Sequence, residues 1–176
     1  AADVMRQVEK LANFERLASK PLTLAMRRAT ETVRSNVLPL VPVGISARLR
    51  NSIGSEVSQT GGISTLVGRV GSSLADEEYP KVMEFGRRPG AGISADGMES
   101  LTRWVHVKGL AGTYSTKTKR RKGSAETQAE EDRNVAYAVA RKIRERGIEG
   151  RYFMRRGLEA SLAAIDGFFA AAGDEI

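Results

Sequence analysis

The one histidine, His106, is the first place to look for chemistry, because imidazole serves as acid, base or metal ligand near neutral pH. It follows Trp104 and Val105, with no second histidine and no carboxylate at ligand spacing. Imidazole metal sites draw on several ligands, so a packed or helix-terminal histidine is the expectation. Two acidic clusters, Asp76, Glu77, Glu78 and Glu126, Glu130, Glu131, Asp132, have the residue types for a cation site or an acid/base pair. Each precedes or opens a helical stretch, where carboxylates complement the positive end of the helix dipole, and neither has calcium-loop spacing. Gly61-Gly62 and Gly90 to Gly92 fit neither phosphate-loop nor dinucleotide patterns and are expected to be turns. There is no Gly-x-Ser-x-Gly and no cysteine, so nucleophilic catalysis, thiolate metal sites and disulfides have nothing to build on. No catalytic residue, metal site or cofactor is expected.

The strongest electrostatic feature is the run Lys117, Lys119, Arg120, Arg121, Lys122. It supplies five positives of a formal charge of +7, leaving +2 for the rest of the chain. Such a block is either a solvated loop or a patch that meets DNA phosphates or an acidic protein surface. Tyr114 is the only nearby aromatic, so base stacking is not expected and any DNA contact would be to the backbone. A dedicated nucleic-acid binder should instead show Lys and Arg along a helix or strand face.

The elements that position these residues follow from hydrophobic period and punctuation. Val4, Val8, Leu11 and Ala18, then Leu22, Met26, Ala29, Val33 and Val37, recur at helical spacing on either side of Pro21. This predicts a helix, a break and a second helix, an N-terminal helical arm over about 3–37 that Pro39 and Pro42 stop. Rough alternation from Ser52 to Thr60, Gly61-Gly62, and Leu66, Val67 and Val70 beyond it predict a β-hairpin over about 52–73. A short helix over 76–85 ends at Gly86, and Met98, Leu101, Trp104 and Val105 mark another. Residues 109–128 lack apolar periodicity and read as a long basic loop. Helix resumes over Glu130 to Arg146 with Gly147 as its cap, and one last helix carries Leu158, Leu162, Ile165 and Phe169.

Together these give an α+β class: a small antiparallel sheet built on the hairpin, packed with N-terminal, middle and C-terminal amphipathic helices. With 176 residues, 41% hydrophobic and 28% charged, the chain is expected to be a single folded domain, 1–176. No run approaches the roughly 18 to 20 apolar residues that span a bilayer, and Ala1, Ala2, Asp3 do not begin an export signal. The expectation is a soluble chain without a membrane partner.

Three stretches in fixed order add a resemblance. They are Pro42 with Leu49-Arg50-Asn51-Ser52-Ile53; Tyr79-Pro80-Lys81-Val82-Met83-Glu84-Phe85-Gly86; and Arg146-Gly147-Ile148 with Gly150-Arg151-Tyr152-Phe153-Met154. Their order resembles the tail-completion, or head-to-tail joining, proteins of the necks of long-tailed bacteriophages, whose members carry a Leu-Arg-x-Ser-Ile segment, a Val-Glu-Phe-Gly segment and a late Phe-containing turn into a helix. Ser46-Ala47 stands where the family has Thr-Gly, Pro80 where it has alanine, and Tyr152 where it has proline. The resemblance implies a structural virion protein at the neck or tail, assembled in the host cytoplasm. It further implies a homo-oligomeric ring, expected to be hexameric, between the head connector or adaptor and the tail tube or tail terminator. Leu49, Ser52, Tyr79, Glu84, Phe85, Gly86 and Phe153 would be its packing or interface residues. Tyr79, Val82 and Met83 are expected to pack down, Glu84 to accept hydrogen bonds or lie on the surface, and Gly86 to cap. The basic loop would face DNA in the channel or grip a connector or tail protein. A basic nucleic-acid-binding protein is the alternative, and a hydrolase with an unfamiliar site a more distant one.

Overall fold

The computed structural model describes the chain except residues 1, 62–64, 75, 76 and 119, and except the side chains of 2–5 and 7–12. Expectations on Gly62, Ile63, Asp76 and Lys119, and on the side chains of Val4, Val8 and Leu11, therefore lie outside the described residues. The elements in order are α1 (Ala2–Val37), α2 (Arg48–Asn51), β1 (Ile53–Gln59), β2 (Leu66–Ser72), α3 (Glu78–Phe85) and β3 (Gly86–Arg87). They continue as α4 (Ala95–Lys108), α5 (Ala125–Arg146), β4 (Ile148–Glu149), α6 (Phe153–Glu159) and α7 (Leu162–Asp174). The class is α+β, and the chain forms two compact units.

The first unit comprises residues 1–42, 49–80 and 152–176. Its organiser is α1, which runs through Pro21 without the predicted break. Proline inside a helix removes one hydrogen bond and costs about 3 kcal/mol. Here Ala18, Ala25, Ala29, Val33 and Val37 are all buried on one face, so packing on both sides of Pro21 holds the helix in register. That face covers the hairpin, in which β1 pairs antiparallel with β2 from Ile53 opposite Ser72 to Gln59 opposite Leu66. Burial alternates along β2, with Gly68 facing inward. A side chain there would run into Thr30 Cγ2 at 2.5 Å and Met26 Sδ at 2.6 Å, so the absence of a Cβ lets α1 lie close to the strand. The Arg34 Nε donates to the Ile53 carbonyl at 3.2 Å and ties the two together.

At the hairpin mouth Leu49 is buried, and the Ser52 hydroxyl donates to the Leu49 carbonyl at 2.7 Å while lying 2.7 Å from the Ser72 hydroxyl. The C-terminal helices also pack on α1, and the single predicted helix is two, parted at Ala160 and Ser161. Ser161 is fully buried. Its hydroxyl donates to the Gly157 carbonyl at 2.7 Å and accepts from Asn36 Nδ2 at 2.9 Å, an alternative to the helical ladder that serines readily supply. Phe153 is buried, whereas Leu158 and Leu162 are about half exposed.

The second unit comprises residues 43–48 and 81–151. The middle helix α4 packs on α5 around Val105, Ala111 and Ala136, with Met98, Leu101, Trp104 and Val135 against them, so it has its own core apart from the hairpin. Ser94 caps α4 by accepting from the Gly97 N–H at 3.2 Å, and Gly109 ends it in the left-handed region. Ser124 caps α5 in the same way from Thr127, so this helix starts five residues before the predicted Glu130 and the basic loop ends at 124 rather than 128. The short strands β3 and β4 pair antiparallel, Gly86 opposite Glu149 and Arg87 opposite Ile148.

Candidate functional site

The basic loop is a folded structure. Tyr114 and Arg121 form an antiparallel bridge, the Lys122 N–H donates to the Thr113 carbonyl at 2.8 Å, and the Ser115 N–H donates to the Arg120 carbonyl at 2.9 Å. Lys117, Arg120 and Lys122 are exposed. Arg121 is not. Its guanidinium turns inward, with Nη1 donating to Asp132 Oδ1 at 2.8 Å and Nη2 donating to Glu131 Oε2 and the Gln128 carbonyl, each at 2.9 Å. Gly112 makes room for it, since a Cβ there would collide with Arg121 Nε and meet Glu131 Oε2 at 2.7 Å. Burial disfavours the charge, but the hydrogen bonds and the charges of Glu131 and Asp132 outweigh it and raise the Arg121 pKa above its ordinary value. Arg121 therefore leaves the set of candidate DNA contacts and becomes the loop's anchor.

The same aspartate reaches His106. Asp132 is buried, and its Oδ2 lies 2.8 Å from His106 Nδ1. A carboxylate that already accepts from Arg121 leaves the imidazole N–H as the donor. His106 is thus helix-terminal, as expected, but it is mostly exposed rather than packed and has the carboxylate partner that its sequence neighbours lack. Such a pair could orient an imidazole for proton transfer, but no serine or threonine hydroxyl joins it among the described residues. Its evident effect is to tie α4, α5 and the loop together. Asp132 and Glu131 accordingly serve as ion-pair partners rather than as helix-dipole charges alone. No group of three or more potential ligands able to hold a metal ion occurs among the described residues.

The parts of the second and third resembling segments that lie in the second unit, Lys81 to Gly86 and Arg146 to Arg151, meet there. The Arg151 N–H donates to the Met83 carbonyl at 3.0 Å, beside the β3–β4 ladder. Gly86, at φ +82°, sits where a side chain would strike the Ile148 carbonyl oxygen at 2.5 Å, and Gly150 where one would strike the Glu84 oxygen at 2.6 Å. The glycines of both segments are required by this backbone approach. Glu84 is buried, so it is not a surface acid. Val82 and Met83 are half-buried as expected, but Tyr79 and, at 69%, Phe85 are exposed. Tyr79 therefore does not pack down.

Charge is distributed by unit more than by loop. The second unit holds 17 Lys/Arg against 9 Asp/Glu, a net of +8, while the first holds 11 against 12, a net of −1. Within the second unit, α5 presents Asn134, Tyr137, Arg141 and Arg144 at helical spacing, all exposed. Basic residues do line a helix face, contrary to the expectation that they gather in the loop alone. That stripe was readable at i, i+3, i+7 and i+10. No family model, curated protein or solved structure matches the chain.

Proposed function

We propose that this chain is a non-enzymatic structural subunit of a bacteriophage neck, forming a homo-oligomeric ring that joins the head connector to the tail and completes the tail end. The order of the three resembling segments motivates the reading. The observation that carries it is a pair of different apolar surfaces on the first unit. One is on α1, where Phe14, Leu17 and Leu24 form an exposed stripe, each at least 45% exposed. The other is an open groove of about 510 Å³ bounded by α1, β2, α6 and α7, whose walls include Met26, Val33, Val70, Ile165 and Phe169. At 100° per residue the stripe and the groove side of α1 lie more than a quarter-turn apart, so one copy can offer its stripe while receiving another's. Two unlike patches are what a head-to-tail, ring-closing interface needs, and exposed apolar surface of this kind marks association sites.

The ring is expected to hold six copies in the virion neck, against connector or adaptor proteins on one side and tail tube or tail terminator proteins on the other. The test is complementation of head-to-tail joining in a phage extract lacking the protein. Wild-type chain restores infectious particles, and Phe14→Asp/Leu17→Asp, which places charge on the stripe and leaves the buried face of α1 intact, does not. Restoration by the double variant, or none by the wild type, refutes the reading. The helix-face charge on α5 favours the nucleic-acid-binding alternative and has a more specific consequence.

A further inference from the structure

We propose that the exposed face of α5, beside the loop over 88–94, is a binding surface for the phosphate backbone of duplex DNA. The face is a groove of about 540 Å³, with Tyr137, Arg141 and Arg144 on one wall and Gly92, Ile93 and Met98 on the other. The second wall is fixed in place. Arg87 Nη2 donates to the carbonyls of Ala91 and Gly92 at 2.7 and 3.0 Å, and the Gly90 N–H donates to the Arg144 carbonyl at 2.9 Å. Arg141 meets a carboxylate only loosely, 3.9 Å from Glu145, and Tyr137 is 58% exposed. Guanidinium groups held outward on a rigid helix suit phosphate, which they grip through paired N–H donors.

Charge complementarity selects the occupant. The unit that carries the groove carries all of the protein's net positive charge, and DNA is a rod with a phosphate every few ångströms. At about 1.5 Å per residue, the stripe from Asn134 to Arg144 on α5 spans roughly 15 Å, the reach of about four phosphates along one strand at about 3.4 Å each. Asn134 and Tyr137 add side-chain donors of the kind that contact phosphate and sugar. Nothing in the stripe favours one base over another, so binding is sequence-independent. The inference does not rest on the ring: it requires only the second unit's own surface.

The test uses the full chain and fluorescence anisotropy with labelled duplexes of about 20 base pairs in two unrelated sequences, titrated from about 50 to 200 mM salt. Both duplexes bind alike, with affinity falling steeply as salt rises. Arg141→Gln/Arg144→Gln binds more weakly and lowers the slope of log K against log salt by about 1.8, or 0.9 per lost phosphate contact. Arg141→Lys/Arg144→Lys keeps the slope, and the far-UV circular dichroism and Tm of both variants match the wild type because the residues are exposed. No duplex binding at low salt, an unchanged slope in the glutamine variant, or equal binding of poly-glutamate, which would point to an acidic protein partner, would each overturn the proposal. A protein that stays monomeric with and without assembled tails and still binds DNA through these arginines contradicts the ring and supports this surface.

Discussion

Gly147 is the position where backbone geometry makes the sharpest demand. It follows α5 at φ 77° and ψ −160°, a region essentially reserved for glycine, with its N–H donating to the Ile143 carbonyl at 2.8 Å. A Cβ there would collide with the Arg87 carbonyl oxygen and crowd the Pro89 nitrogen at 3.0 Å and the Arg88 carbonyl carbon at 3.1 Å. All three are backbone atoms, so no side chain can swing aside. Gly147→Ala combines about 1–3 kcal/mol of backbone strain with about 1–3 kcal/mol of overpacking, or roughly 2–6 kcal/mol in all. Gly167→Ala is the control: its Cβ meets nothing within 4 Å on α7, so alanine should stabilise by about 0.5–1 kcal/mol. The assay is urea unfolding, read by fluorescence of the single tryptophan, Trp104, for the second unit and by circular dichroism for the helices. Gly147→Ala should also lower Tm by about 4 °C or more. A wild-type urea midpoint for Gly147→Ala, with Gly167→Ala behaving as expected, refutes the close packing of Gly147 against Arg87.

The ion-pair cluster and the buried serine give further tests. Asp132→Asn withdraws the charge that Arg121 Nη1 and His106 share, so the loop over 109–124 should loosen and trypsin should cut at Lys117, Arg120 or Lys122 sooner than in the wild type; equal cleavage rates would show that the loop does not depend on Asp132. Ser161→Ala leaves the Asn36 amide without its acceptor and should destabilise by about 1–3 kcal/mol in the same urea assay; no loss would mean that this buried bond contributes nothing.

Where an element's own residues determine it, the sequence was a good guide. The hairpin, the helix α4 and the glycine ends of α3 and α5 follow from alternation, helical period and positive-φ requirements, whereas the Ser94 and Gly109 caps of α4 are seen only in the structure. Pro21 was misleading because propensity is local, whereas α1 is held by burial of Ala18, Ala25, Ala29, Val33 and Val37. The split between α6 and α7 is not legible in the local sequence because Ser161 breaks the helix through a side chain buried against Asn36, 125 residues away in sequence. His106 and Asp132 are 26 positions apart on different helices, a separation that no motif spacing encodes. The arginine stripe on α5 could have been read from its periodicity, but the denser charge of the Lys117 to Lys122 block hid it.

The most direct measurement is the mass of the purified full chain by light scattering at low and moderate salt, alone and with assembled phage tails. The account predicts a discrete closed assembly, six copies of 19.1 kDa or about 115 kDa, either free or formed on tails. A 19.1 kDa monomer at every salt concentration, indifferent to tails, would contradict it.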